Sequence, residues 1–442
     1  MKQIALRTLA HHLGLSIDVD LLISGYRIDS RLIIPGDLFF AIKGAKVDGH
    51  FFLSEVKEQG ALAAVVDRNY QGPSYGLILL VVDDVAMVLQ SLAQFSLALT
   101  KPFVVAVTGS VGKTTTKEFV ATLLERKYTV AKTFGSYNTQ LTLPLTILNR
   151  GEEKVLVLEM GISQPGEMEK LVRLAPPDIA VLTKVALAHV EFFPGGIEEI
   201  AHEKMQIFSQ LKTNVAIVPE KISVPFSHLQ TISFSQQERE VDYFLSFADD
   251  RGYIDEKGVR ACSFDLPFYE KHLLHNLLAA IAVARRMQLS WEEIEQQLPK
   301  LKVPKMRFEQ FQYQGVSFIN DAYNANPESM RAALSSLPFI KAGGKRIAVL
   351  ASMKELGAFS EESHREIGVF ARRFVDHLLC FGEEARWMAE TFSQSQKPAE
   401  YFIDKQELKR RLIELMLPGD VVLLKGSRSM QLEELLLSLE GV

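Results

Sequence analysis

The chain has 442 residues, 47% of them hydrophobic and 23% charged, with Lys+Arg 49 against Asp+Glu 54 and a formal net charge of −5. That length exceeds one ordinary core and calls for two or three domains, while the near balance of charge, without a block of one sign, argues against nucleic acid or an anionic membrane surface as the main partner. The cysteines, Cys262 and Cys380, lie far apart without metal-ligand spacing and read as reduced core thiols of a cytoplasmic protein.

The N-terminal stretch MKQIALRTLAHHLGL has no long apolar core and no small-residue cleavage site, so no signal peptide is expected. The apolar run Leu77–Val82 is too short to span a bilayer. Residues 1–98 read as a small α/β domain, with a Pro35-Gly36-Asp37 turn before the apolar LFFAI and a strand-like run at Ala61–Val66. Beside it stands the polar triplet Asp29-Ser30-Arg31. An arginine and a hydroxyl next to a strand suit a phosphate or sugar, and a plain surface turn accounts for them equally well.

From Lys101 to about Val303 strands and helices alternate. Phe103–Val107 is short, valine-rich and continuously apolar, which predicts a strand buried on both faces. Thr108-Gly109-Ser110-Val111-Gly112-Lys113-Thr114-Thr115 follows, then a helical pattern with Phe119, Val120, Leu123 and Leu124 on one side. Strand, glycine-bearing turn and helix start form a phosphate cradle. Backbone N–H groups converge on anionic oxygens, the helix dipole adds to them, Lys113 reaches the outer phosphates, and a threonine hydroxyl holds Mg²⁺. The general pattern wants a glycine five residues before Gly112, where Val107 stands, so the reading rests on the strand before and the helix after. A nucleoside triphosphate is the expected ligand.

The strand-like 154–161 ends on Glu159, and 179–184 leads into His189. A carboxylate and an imidazole at the carboxyl ends of neighbouring strands lie where open α/β sheets bind ligands, so both are candidates for the nucleotide's metal. Residues 197–211 predict a helix with Ile197, Ile200, Ala201, Ile207, Phe208 and Leu211 on one stripe. Lys204 falls on that stripe and either snorkels to solvent or is held inward for chemistry. The stretch 220–268 reads as less regular. The helix predicted at 272–286 puts His272 and Asn276 on one face, and Pro299 and Pro304 bracket a linker.

The remaining residues, 304–442, carry strand-like runs (VSFIND, RIAVLAS, HLLCF, YFID, VVLLKGS), each followed by a helical segment, which predicts a parallel, doubly wound sheet. Polar clusters follow several of them: Asn320-Asp321, Lys354-Glu355 and Lys425-Gly426-Ser427-Arg428. Residues 321–327 predict a turn before a helix that Pro327 can begin.

Taken together, DSR…PGDLFFAIKG…DGHFF, TGSVGKTTTKEF, SYN…LPLTIL, LEMG, AHVEFF, EKMQIF, H…NLLAAIAVA, MRFE, NDAYNANPESM, MKELG, SHREIG and KGSRSM resemble the Mur ligases in order and spacing over nearly the whole chain. These are ATP-dependent amide-forming enzymes of peptidoglycan precursor synthesis, and their phosphate loop lacks the first glycine, which accounts for Val107. The resemblance implies a small α/β UDP-sugar-binding domain (1–98), a central P-loop ATPase-like parallel-sheet domain (99–303) and a C-terminal Rossmann-like doubly wound domain (304–442). It implies Gly109, Ser110, Val111, Gly112, Lys113, Thr114 and Thr115 on the ATP phosphates. Thr114 or Thr115, Glu159 and His189 would serve a pair of Mg²⁺ ions, with Lys204 carbamylated by CO₂ to supply a carboxylate to the second. Asn276 would lie near adenine, Arg307 near the phosphates and Asp321 near the ribose. Ser30 and Arg31 would contact the UDP-sugar, and Asn138, Asn324, Asn326, Lys425, Ser427 and Arg428 the face where substrate and nucleotide meet.

Within the family, DAYNANPESM and KGSRSM resemble the branch that adds D-alanyl-D-alanine to UDP-N-acetylmuramoyl-tripeptide (UDP-MurNAc-tripeptide) through an acyl phosphate. The alternative is the amino-acid-adding branch, which takes UDP-MurNAc-dipeptide and a diamino acid and usually carries a tyrosine–alanine–histidine motif that is not visible here. The first-domain motif disfavours a folate-adding relative, and intact Lys113, Glu159, His189 and Lys204 disfavour a non-catalytic ATP-binding protein. Thr139-Gln140, Thr142, Lys184, Glu270 and Ala351-Ser352 depart from the usual asparagine–glutamate, glycine, asparagine, glycine and glycine–aspartate. A cytoplasmic monomer is expected, with no nucleic-acid partner and no membrane insertion.

Overall fold

The computed structural model describes residues 4–44, 46–248, 250–340 and 343–436. The start of the N-terminal stretch (1–3) and the end of the third segment (437–442) lie outside the described residues. The first segment builds a four-stranded parallel sheet in chain order: Gly25–Arg27, Asp37–Phe40, Ala63–Asp67, Ile78–Val82. The two inner strands are buried on both faces, as their unbroken apolar runs require. The triplet beside them splits. Ser30 is buried, whereas Arg31 is exposed and donates from Nε and Nη2 to the Asp29 carboxylate at 2.9 and 2.6 Å. The helix Val85–Thr100, capped by Asp84 on the Met87 N–H, ends at a left-handed Lys101 and delivers the chain to the central sheet.

That sheet has nine strands, ordered Val259–Asp265, Arg251–Glu256, Tyr243–Ala248, Gln230–Ser235, Val215–Pro219, Ile179–Leu182, Phe103–Thr108, Val155–Glu159, Val130–Lys132. It is parallel from Tyr243–Ala248 onward, and two antiparallel strands extend its far edge. The segment 220–268, read as less regular, therefore supplies four strands. Its polar residues had masked an alternation in which Tyr243, Leu245, Ile254 and Phe264 turn inward, the pattern of a sheet edge with one wet face. The helix Lys271–Arg286 is buried along most of its length and packs on the phosphate-loop helix Lys113–Leu124.

The last segment forms a six-stranded sheet, Glu309–Tyr313, Val316–Asn320, Val421–Lys425, Arg346–Ala351, His377–Phe381, Ala399–Phe402. It is parallel except for the first pair, a hairpin whose alternating edge strand EQFQY the apolar-run reading passes over. Among the described residues, two short 3₁₀ turns, Arg428–Met430 and Leu432–Leu435, follow Val421–Lys425. Pro327 does open a helix, Pro327–Ser335, with Asn326 and Ser329 forming a reciprocal cap. Cys380 is buried as expected, Cys262 on the edge strand Val259–Asp265 is partly buried against the core of the central unit, and both are free thiols. Among the described residues no helix is long and apolar enough to cross a membrane.

One side chain joins the first sheet to the central unit. The Asn149 amide accepts from the Tyr26 N–H and donates to the Tyr26 carbonyl, each at 2.9 Å, and accepts from Arg27 Nη1 at 3.2 Å. It acts as one residue of an extra strand beside Gly25–Arg27. Asn149→Ala removes the acceptor of the Tyr26 N–H and leaves the Tyr26 carbonyl only Arg27 Nη1, at 3.2 Å, so it is expected to lower stability by roughly 1–3 kcal/mol, read as a lower urea midpoint at unchanged slope.

Candidate active site

The phosphate loop gets its shape from two glycines. Gly109 has φ 152° and Gly112 φ 84°; a Cβ would fall 2.0 Å from Thr183 Oγ1 at the first and 2.3 Å from Asn276 Oδ1 at the second. Thr183 Oγ1 donates to the Val111 carbonyl at 2.6 Å, and the Ser110 N–H donates to the Lys184 carbonyl at 2.6 Å, so the neighbouring strand end holds the loop. The helix begins at Lys113 without a side-chain cap, which leaves its first-turn N–H groups available to an anion. Lys113 Nζ folds back onto the Gly109 carbonyl at 2.9 Å. Burial lowers its pKa, the nearby Glu159 carboxylate opposes that shift, and Arg307 adds to it.

Glu159 ends its strand as predicted and is buried. Its Oε1 accepts from Asn138 Nδ2 at 2.7 Å, while Oε2 is buried without a hydrogen-bond partner. His189, held at φ 57°, places Nδ1 against the Glu355 carboxylate of the C-terminal unit in a close contact that meets no hydrogen-bond geometry. That contact lowers the Glu355 pKa. Lys204 is held inward, 2% exposed. Burial, then the charge of Lys113, push its pKa well below the usual lysine value, with Glu203 opposing. The helix around it is shorter than the predicted 197–211: it runs Gly196–Met205, then a 3₁₀ turn, and Ile197 and Leu211 are exposed. The sharp turn swings Ile207 and Phe208, but not Leu211, into the core.

These groups face a cavity of about 1130 Å³ between the central and C-terminal units. Of the residues given a catalytic, nucleotide, substrate or metal role from the sequence, all but Ser30, Arg31, Gly109, Thr114, Lys204 and Ser427 line it. Arg307 Nη2 donates to Thr114 Oγ1 at 2.9 Å, and its guanidinium lies 3.9 Å from the Tyr323 ring centroid. Asp321 accepts from Lys425 Nζ at 2.5 Å and from the Phe308 N–H at 3.0 Å; Lys425 also donates to the Asn324 carbonyl at 3.1 Å. Ser427 Oγ accepts from the Lys354 N–H at 2.9 Å, and Arg428 pairs with Glu433. Among the described residues, no three His, Cys, Asp or Glu side chains gather into a ready-made metal cage. The donors present are threonine hydroxyls, the free Glu159 oxygen and His189, a sparse, oxygen-rich set of the kind Mg²⁺ uses when phosphates complete its shell.

His272 flanks the same cavity, its Nδ1 3.3 Å from Ser336 Oγ and its ring edge-on to Phe308. Burial lowers its pKa to about 4. Between about pH 6.5 and 4 the unfolded chain therefore binds the extra proton, so this contribution is intact above 6.5 and is lost as pH falls toward 4. His272→Gln is expected to flatten that part of an acid-unfolding curve by up to ~3 kcal/mol, measured as stability against pH.

Family models for the Mur ligase family catalytic domain, the Mur ligase middle domain and the Mur ligase glutamate ligase domain match residues 22–96, 107–284 and 306–428 in turn. The chain is 35% identical over 424 residues to the UDP-N-acetylmuramoyl-tripeptide–D-alanyl-D-alanine ligase of Bacillus subtilis (strain 168), covering 93% of this chain and 92% of that one. It belongs to the Mur ligase family. The ligase of the same name from Escherichia coli (strain K12) is 31% identical, with 95% and 94% covered. Among solved structures, MurF from Acinetobacter baumannii superposes with a TM-score of 0.86 at 27% identity, covering both chains fully. MurF ligase from Thermotoga maritima in complex with ADP gives 0.79 at 31% identity, covering 94% of this chain and 97% of that one.

In this Mur ligase several cavity residues carried no assigned role in the sequence reading. Glu355, noted only as part of a polar cluster, reaches His189, and Lys184, noted only as a departure, donates to Glu328 Oε1 at 2.5 Å across the two units. Tyr323 backs Arg307. No local signal could have paired residues so distant in sequence.

Proposed function

We propose that this Mur ligase joins D-alanyl-D-alanine to UDP-MurNAc-tripeptide, consuming ATP and giving UDP-MurNAc-pentapeptide, ADP and phosphate. The observation that carries the reading is the phosphate loop and the 321–328 segment facing one cavity, in a chain whose full-length relatives are named for this reaction. Residues 1–98 would hold the UDP-sugar through Ser30 and Arg31, 99–303 the nucleotide, and 304–442 the incoming dipeptide, in a cytoplasmic monomer.

A carboxylate repels a nucleophile and its oxygen leaves poorly, so it must first be activated. One carboxylate oxygen attacks the γ-phosphorus, the bond to the β–γ bridging oxygen breaks, and an acyl phosphate and ADP result. Lys113, the uncapped helix start and Arg307 sit where charge builds on the phosphoryl oxygens. Mg²⁺, held by Thr114 or Thr115, Glu159 and His189, would supply further charge neutralisation there. A second ion would lean on Lys204, whose depressed pKa favours the neutral amine that adds CO₂ to give a carbamate. The dipeptide amine, deprotonated to its free base, then attacks the acyl carbon; the tetrahedral intermediate gives up a further N–H proton to solvent and expels phosphate, leaving the amide. An acyl phosphate hydrolyses in water, so closure of the C-terminal unit over the cavity protects it. Lys184–Glu328 and His189–Glu355 are contacts that span that closure.

The test is amine-dependent phosphate release with ATP, Mg²⁺ and bicarbonate. One arm contains UDP-MurNAc-tripeptide and D-alanyl-D-alanine, the other UDP-MurNAc-dipeptide and free diamino acids. Turnover in the first arm alone, with a pentapeptide product by mass, is expected. Turnover in the second alone would reassign the chain to the amino-acid-adding branch.

A further inference from the structure

Lys117 is the one strongly buried cation of the phosphate-loop helix that the mechanism leaves without a task. We propose that it is a positioning residue: it clamps the loop 133–138 and thereby holds the free Glu159 oxygen toward the cavity. This rests on reading Glu159 as a metal ligand.

Lys117 is 0% exposed. Its Nζ donates to the Thr133 carbonyl at 2.7 Å and the Gly135 carbonyl at 3.0 Å, and lies 2.9 Å from Glu118 Oε1. A buried ammonium is tolerated only when its protons find acceptors, and three acceptors surround this one. Two of them are main-chain carbonyls of the same loop, so the buried charge fixes backbone rather than merely pairing with a carboxylate. Thr133 Oγ1 accepts the Glu159 N–H at 2.9 Å. Gly135, at φ 51°, turns the chain, and Asn138 returns to the same strand end: its carbonyl accepts the Gly161 N–H at 3.0 Å and its Nδ2 donates to Glu159 Oε1 at 2.7 Å. Glu159 is thus gripped at its backbone by one end of the loop and at its carboxylate by the other. Oε1 is committed to Asn138, and Oε2 is left buried and free. Lys117 ties down the stretch between those two grips.

The test uses the full-length protein and Lys117→Met, which keeps an unbranched side chain of nearly the same volume and removes the ammonium protons. Mn²⁺ binding in the presence of ADP is followed by electron paramagnetic resonance, and amide exchange by mass spectrometry. Lys117→Met is expected to bind ADP alone as wild type does, to bind Mn²⁺ about tenfold more weakly, and to exchange faster at 133–138 alone. Wild type supplies a reading that does not depend on the variant folding. If loop and metal are coupled, Mn²⁺ with ADP must slow exchange at 133–138 beyond ADP alone, because linkage is reciprocal. A folded variant with wild-type Mn²⁺ affinity, loosening spread over the whole central unit, or wild-type exchange at 133–138 indifferent to Mn²⁺ would each overturn the proposal. So would wild type that binds no Mn²⁺. Wild type that binds Mn²⁺ with ADP and fails to ligate the tripeptide would overturn the proposed reaction and leave this role of Lys117 standing.

Discussion

Lys113→Met is expected to cut amine-dependent phosphate release by about a thousandfold, the upper end of what one preorganised donor contributes to a transition state. The protein should still fold. The side chain is part-buried at the cavity wall, where desolvation lowers its pKa, and its Nζ donates to the Gly109 carbonyl at 2.9 Å. Methionine fills nearly the same volume and removes a part-buried charge, so the packed state loses little. What disappears is the cation beside Glu159 and Arg307, where in the proposed reaction the phosphoryl group would gather negative charge. The measurement is kcat together with far-UV circular dichroism and ADP affinity. A folded variant that keeps more than a tenth of wild-type kcat would remove Lys113 from the chemistry.

Lys204→Arg comes next, with an expected loss of about a hundredfold, in line with removing a group that orients a metal. A guanidinium stays charged and forms no carbamate under these conditions. The wild-type amine is different: burial and the charge of Lys113 depress its pKa, so more of it is neutral at a given pH than for a free lysine. The sign follows. If the proposed carbamate forms, then as pH falls the amine is protonated, the carbamate is lost, and activity is expected to decline on the acid side. Stripping CO₂ should therefore slow wild type and leave Lys204→Arg unaffected, and ¹³CO₂ should give a carbamate resonance in wild type alone. Activity indifferent to CO₂, with no such resonance, would show that Lys204 works as an amine or not at all.

Much of the site was legible because it is local. A buried strand, a glycine turn and an uncapped helix start lie within 103–124, and the phosphate cradle needs nothing from elsewhere to be recognised. Glu159 was readable for the same reason, as a carboxylate closing an apolar strand. The segment 220–268 was not, because strands with one wet face carry half their residues polar and dilute the apolar signal. Lys204 marks the boundary between the two kinds of information. Its place on an apolar stripe was visible, but snorkelling and burial leave the same pattern, and only the packing of Gly196–Met205 against its neighbours chose burial.

The sequence by itself determined the alternation of strands and helices, the phosphate loop and the family, since each depends on residue type at short, fixed spacing. Tertiary structure alone decided which oxygen of Glu159 is free, that Lys117 spends its charge on the loop 133–138, and that His189 and Lys184 meet Glu355 and Glu328. Those are contacts between residues from 16 to more than 160 positions apart. No local propensity encodes such a pairing; it exists only once the sheets are built and the central and C-terminal units lie against one another.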